Sequence, residues 1–168
     1  FVGSYKLPEV VLPEGLDSIL NCAFTYSGAW NESLRSITIP QSCTYIGDQA
    51  FYGCKNLNSV IFADESLCEY IGDQAFYNCS NMGQIHLPNS IKHIGDKAFS
   101  YANQKEFTFP ENLETCSLYL YQERSSTSSS LTYYMCSETI KKVFYNSINL
   151  LTDPFEKYNR RGLSGCYD

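Results

Sequence analysis

The sequence predicts an α/β repeat solenoid: a stack of turns that each carry one short parallel β-strand and a short helical turn, with a period of 23–27 residues. Three observations predict it. The motif Ile-Gly-Asp-x-Ala-Phe recurs at residues 46–51, 71–76 and 94–99, and a fainter copy occupies 19–24. The steps between anchor isoleucines are 27 (19 to 46), 25 (46 to 71) and 23 (71 to 94) residues. An alternating apolar segment precedes each copy, and every copy carries several apolar side chains that it cannot bury alone. Self-similarity at such a period marks stacked turns that share one continuous core.

Within a turn the elements come in a fixed order. A leucine-like residue opens it: Leu7, Leu34, Leu57 or Met82. The strand comes next, as Val10-Val11-Leu12, Ile37-Thr38-Ile39, Val60-Ile61-Phe62, Ile85-His86-Leu87 and Phe107-Thr108-Phe109. Period-two alternation rich in β-branched and aromatic residues reads as strand, and Pro13, Pro40, Pro88 and Pro110 end it. Three residues before the anchor lies a second apolar site: Leu16, Cys43, Cys68, Ile91, Leu113. The glycine after the anchor suits a bend or a close approach that a Cβ would obstruct. Asp48, Asp73 and Asp96 are placed to cap one or two turns of helix, a reading preferred to a calcium row. Alanine and phenylalanine then point inward, and Cys54, Cys79 and Ala102 fill the bend with small apolar side chains.

Residues 37–57 and 85–99 closely resemble the BspA-like leucine-rich repeats, a resemblance that covers residues 7–116. It implies a right-handed leucine-rich-repeat stack. It also implies the surface of a bacterium or a parasitic protist, where such repeats are associated with adhesion to host matrix proteins. No catalytic residues come with the resemblance.

The pattern weakens after Pro110, where Cys116 stands for the anchor isoleucine, Ser117 for the glycine, and Leu120-Tyr121 for Ala-Phe. The domain reading is therefore a solenoid over 1–116 and a polar Ser/Thr/Tyr-rich insertion over 117–139. A degraded repeat or C-terminal cap occupies 140–168. Within the insertion, the polar run 122–130 predicts a mobile loop. Residues 140–145 echo 57–62, and cap is the preferred reading of residues 146–168. Phe1 is not a start methionine and only six residues precede Leu7, so an excerpt, a mature form or an incomplete gene product is expected.

Composition narrows the function. A formal charge of −6 and a pI near 4.9 argue against nucleic-acid binding. No apolar run is long enough to span a membrane. Eight cysteines contain no Cys-x-x-Cys, and only two histidines are present, so no metal or other cofactor is expected. Cys43, Cys68, Cys54, Cys79 and Cys116 fall on core sites and are expected as buried thiols, whereas Cys22, Cys136 and Cys166 lie outside the pattern. The closest approach to a nucleophile elbow, residues 162–166, ends in cysteine and not glycine, so no enzyme is expected.

A protein partner is expected instead. In a parallel stack, equivalent residues align across turns. One candidate ladder is the outward strand position, Val11, Thr38, Ile61, His86 and Thr108, flanked by Glu9, Ser36, Ser59, Gln84 and Glu106. The alternative is an aromatic face of Tyr45, Tyr70 and His93, with Tyr52 and Tyr77. Each has a purely structural explanation, since β-propensity selects Thr, Ile and Val, and stacked tyrosines stabilise neighbouring turns. The function expected is a cell-surface or secreted adhesion module, and the alternative is a cytoplasmic scaffold or spacer. The sequons at Asn31 and Asn78 suit the first reading.

Overall fold

In a computed structural model of the chain, residues 8–25, 32–102 and 110–116 are described in full, and residues 122–124 and 131–133 by their backbone. The strands are β1 (Glu9–Val10), β2 (Ser18–Ile19), β3 (Ser36–Ile39), β4 (Tyr45–Ile46), β5 (Ser59–Phe62), β6 (Tyr70–Ile71), β7 (His93–Ile94), β8 (Thr115–Cys116), β9 (Gln122–Arg124) and β10 (Leu131–Tyr133). The first eight build a parallel β-solenoid of about four turns, with a fifth begun at β8.

Two parallel sheets run along the stack. The strand side has the order β1-β3-β5, with Ser36 opposite both Glu9 and Ser59, and Thr38 opposite Ile61. The anchor side has the order β2-β4-β6-β7-β8 and aligns Ile19, Ile46, Ile71, Ile94 and Cys116 in register. Cys116 thus occupies the anchor place expected from its spacing. Residues 82–88 keep the expected burial alternation, with Ile85 buried and His86 exposed, but carry no strand.

Where a helical turn is expected after each Asp, the structure has a third hydrogen-bonded side. No helix occurs among the described residues. The N–H groups of Gln49, Phe51 and Gly53 donate to the carbonyls of Asp73, Ala75 and Tyr77 one turn on, each at 2.8 Å. Gln74, Phe76 and Asn78 repeat this toward Asp96, Ala98 and Ser100. Short i→i+3 bonds such as Tyr52 N–H to Gln49 O, 3.1 Å, coil the backbone locally. Cys22, Gln49, Gln74 and Lys97 share one position and all adopt left-handed φ of 53–58°. That conformation interrupts a helix and turns alternate amides toward the neighbouring turn. Backbone donors satisfied between turns have no need of a helix.

The core lies between the three sides. Leu34, Ile39, Ile46, Phe51, Leu57, Ile71, Phe76 and Phe99 are fully buried, as are Ala50, Ala75 and Ala98. Phe24, Phe51, Phe76 and Phe99 stack with centroids 4.9, 5.0 and 5.2 Å apart and planes within 7° of parallel. That spacing is the strand repeat itself, so one ring per turn fills the axis without a gap.

Differences in repeat length are absorbed in bends. Phe62 lies nine residues before its anchor Ile71, whereas Ile39, its register partner, lies seven before Ile46. The extra pair sits in the bend 63–66, where Ser66 is buried and its Oγ accepts from Cys68 N–H at 3.3 Å. Ala63 stands there in place of proline, and its N–H donates to Ile39 O at 2.9 Å, a bond that proline could not make. The 27-residue step instead lengthens the connection from Phe24 to Leu34, ten residues against six from Phe51 to Leu57.

Beyond the solenoid, β9 and β10 pair antiparallel, with Gln122 opposite Tyr133 and Arg124 opposite Leu131. Residues 122–124 of the expected loop are therefore strand. Residues 125–130, the strand expected at 107–109, Leu7, Asn31, Cys136, Cys166 and residues 140–168 lie outside the described residues.

Candidate interaction surfaces

Three devices fix the surface of the solenoid. The first joins the glycine and the aspartate of the motif. Asp73 N–H donates to Asp48 Oδ1 at 2.9 Å, and Asp96 N–H donates to Asp73 Oδ1 at 2.7 Å. In the first turn Asn21 does the same work, accepting from Asp48 N–H at 2.9 Å. Each side chain crosses the glycine of the following turn to reach its target. A Cβ on Gly72 would lie 2.6 Å from Asp48 N and 2.7 Å from Gly47 C. The glycine therefore clears the path, as expected of a close approach, and the aspartate clamps the next turn where a helix cap was expected. Sequence reasoning missed the clamp. Its signal was Asn21, which shares the Asp position and the amide-accepting oxygen, and the few residues left for any helix.

The second device is aromatic. Tyr45 and Tyr70 are half-buried and stack at 4.9 Å, with His93 tilted against Tyr70 at 5.9 Å. Tyr52 and Tyr77 stack at 4.9 Å and 3°. Tyr101, absent from the aromatic face expected from sequence, meets Tyr77 edge-on at 5.2 Å from one register further along. His93 continues its row into the fifth turn, with Nδ1 2.7 Å from Thr115 Oγ1 and Nε2 3.9 Å from Glu114 Oε2.

The third device is thiol. The six cysteines among the described residues are free. Cys54 and Cys79 point their Sγ at the carbonyls of Phe24 and Phe51 in the preceding turn, at 3.7 and 3.2 Å. Burial pushes the Cys54, Cys68 and Cys116 thiols up from 9.0 to about 12, and raises Cys79 and Cys43 as well. Thiols held that high are protonated at neutral pH and are poor nucleophiles. Cys22, half-buried, approaches Gln49 Oε1 at 3.8 Å. Among the described residues, no group of three or more His, Cys, Asp or Glu is arranged to hold a metal ion.

The two candidate faces differ in chemistry. On the strand side Val11, Thr38, Ile61 and His86 are all exposed, Val11 at 86% and Ile61 at 54%. Glu9 and Gln84 beside them are exposed, and Ser36 and Ser59 are half-buried. Thr108 and Glu106 lie outside the described residues. On the anchor side the row Ser18, Tyr45, Tyr70, His93 and Thr115 is preceded by Asp17, Thr44, Glu69, Lys92 and Glu114, and Asn21, Asp48, Asp73 and Asp96 lie three residues after its first four members. Lys92, within the first of these flanks, is engaged by Glu69 at 2.7 Å, and Lys97, one residue past the second, by Asp96 at 3.4 Å. Burial, with Asp48 and Asp73 nearby, raises the Tyr70 hydroxyl above its ordinary value.

The profile of the BspA type leucine rich repeat region matches residues 1–65 and 29–151, in six copies. It extends past Cys116 and through the polar insertion. No curated protein matches the chain. A match over most of the sequence, carried by the same turns that these hydrogen bonds stack, settles the family: the chain belongs to the BspA-type leucine-rich repeats.

Proposed function

We propose that this solenoid is a non-catalytic protein-interaction module of a cell-surface or secreted adhesin, and that it binds a host or matrix protein through its strand side. The observation that carries the reading is the ladder Val11, Thr38, Ile61 and His86. Large apolar side chains are exposed there, on a face whose inward positions alone are demanded by the core. Thr38 and Ile61 stand in register on paired strands, with Val11 and His86 extending the row beyond the sheet, and exposed groups on a rigid backbone give contact area at little entropic cost. The repeat family, typically surface or secreted, supports the location.

The test is a pull-down of matrix glycoproteins by the purified chain and by the variant Thr38→Asp/Ile61→Asp/His86→Asp. Binding by the native chain that the variant loses supports the reading, and binding that survives refutes the face. The free thiols favour a second reading, an intracellular scaffold, because reduced cysteines suit a reducing compartment. Capture of matrix protein decides between the two.

A further inference from the structure

We propose that Asn78 is an attachment site for an N-linked glycan, added as the chain passes through a eukaryotic secretory pathway. Asn78-Cys79-Ser80 is one of two Asn-x-Ser sequences in the chain, and the other, at Asn31, begins outside the described residues. The fold sorts the three side chains as attachment requires. Cys79 is fully buried, with its Sγ 3.2 Å from Phe51 O. Asn78 before it is half-buried, Ser80 after it is exposed, and neither side chain is held in a hydrogen bond among the described residues. The neighbouring asparagines are engaged: Asn56 Nδ2 donates to Glu32 O at 2.6 Å, and Asn81 Nδ2 donates to Asn56 Oδ1 at 3.0 Å.

Stacking does not ask for either residue. Gly53, Asn78 and Tyr101 hold one position in three successive turns and share a left-handed φ of 71, 57 and 61°. Asparagine tolerates that conformation, but so does the tyrosine, and the backbone leaves the choice open. The place of Ser80 is taken one turn earlier by Lys55, which pairs with Glu32 at 3.3 Å. Attachment is a group transfer. Nδ2 of Asn78 attacks the anomeric carbon of an oligosaccharide carried on a lipid pyrophosphate. A carbon–nitrogen bond forms, the carbon–oxygen bond to the pyrophosphate breaks, the lipid pyrophosphate leaves, and the amide gives up one proton to a base of the transferase. The Ser80 hydroxyl, two residues on, is the group the transferase recognises. Asn78 follows Tyr77 of the Tyr52–Tyr77 stack and precedes His86 of the strand side by eight residues. A bulky, hydrated glycan there shields the stacked tyrosines and leaves the strand side open. The inference rests on the secreted location proposed above and not on the partner.

In the test, the full chain enters the endoplasmic reticulum of cultured eukaryotic cells behind an added signal peptide. It is recovered from cells and medium together, so retention does not hide the modification. Trypsin separates the two sequences, since residues 7–35 carry Asn31 and residues 56–92 carry Asn78. Mass spectrometry before and after enzymatic release of N-linked glycans is expected to find the 56–92 peptide glycosylated. Ser80→Ala should abolish that glycan completely and leave the 7–35 peptide as it was, whereas Ser80→Thr should retain it. Both variants alter an exposed side chain that holds no bond, so folding is not at stake. An unmodified 56–92 peptide in the native chain overturns the proposal, whatever the state of Asn31. A glycan that survives Ser80→Ala overturns it too. The mapping involves no matrix protein, so a missing glycan counts against this site alone, and failed capture counts against the function proposed above.

Discussion

The strand side and the anchor side share a period and a spacing, yet they use their side chains differently. On the anchor side isoleucine, glycine and aspartate return together in three successive turns, at 46–48, 71–73 and 94–96, because each meets its own counterpart in the turn before. On the strand side the inward positions repeat, as Ile37, Val60 and Ile85, but the outward ones run valine, threonine, isoleucine and histidine. The backbone ladder alone holds that sheet together, and it asks nothing of an outward side chain. Identity is fixed where neighbouring turns touch through side chains and is free where they touch through backbone only. A face of the second kind can be adapted to a partner at little cost to the fold.

That contrast can be broken at its strongest point first. Phe76→Ala should cost about 3–5 kcal/mol, since it empties one ring from a stack closed on both sides by Phe51 and Phe99. Chemical denaturation measures it, and a shift near zero would mean that the stack does not carry the core. Next comes the close approach. Gly72→Ala should cost about 1–3 kcal/mol by forcing the turns apart. Leu20→Ala, at the same repeat position but 68% exposed in the first turn, should stay within about 0.5 kcal/mol. Equal effects at the two sites would end the idea that glycine serves turn-to-turn contact.

A finer comparison separates acceptor from charge. Asp73→Ala leaves Asp96 N–H without its partner and should cost about 1 kcal/mol, while Asp73→Asn should cost almost nothing. If the asparagine variant proves as weak as the alanine one, charge and not hydrogen bonding holds the clamp. The smallest effects belong to the strand side. Thr38→Ala and Gln84→Ala should each lower the unfolding free energy by less than about 0.5 kcal/mol. A large loss at either position would place it in the core.

Much of this was readable in the chain. The anchors, the inward Ala-Phe pairs and the cysteines on core sites announce their burial, because a recurring apolar residue at a fixed place can only be facing its copies. Even Cys116, chemically unlike isoleucine, was placed by spacing. The clamp left only a faint trace, in Asn21 at the aspartate position. Aspartate followed by a short segment is compatible with a helix cap, and only the left-handed φ at Gln49 and its equivalents shows that the amides turn sideways to the next turn. Nor did the row of tyrosines disclose Tyr101, which joins it from one register along and edge-on.

The sequence by itself determined the repeating order within each turn, the family and the composition of the core. Periodicity does this because stacking forces equivalent residues into contact. Tertiary structure alone decided how each turn meets the next: which oxygen takes which amide, and why glycine cannot be replaced. Those are contacts between residues some 23 to 27 positions apart, separated by bends of unequal length. Local sequence carries no record of them, since the partner that selects each residue lies one full turn away.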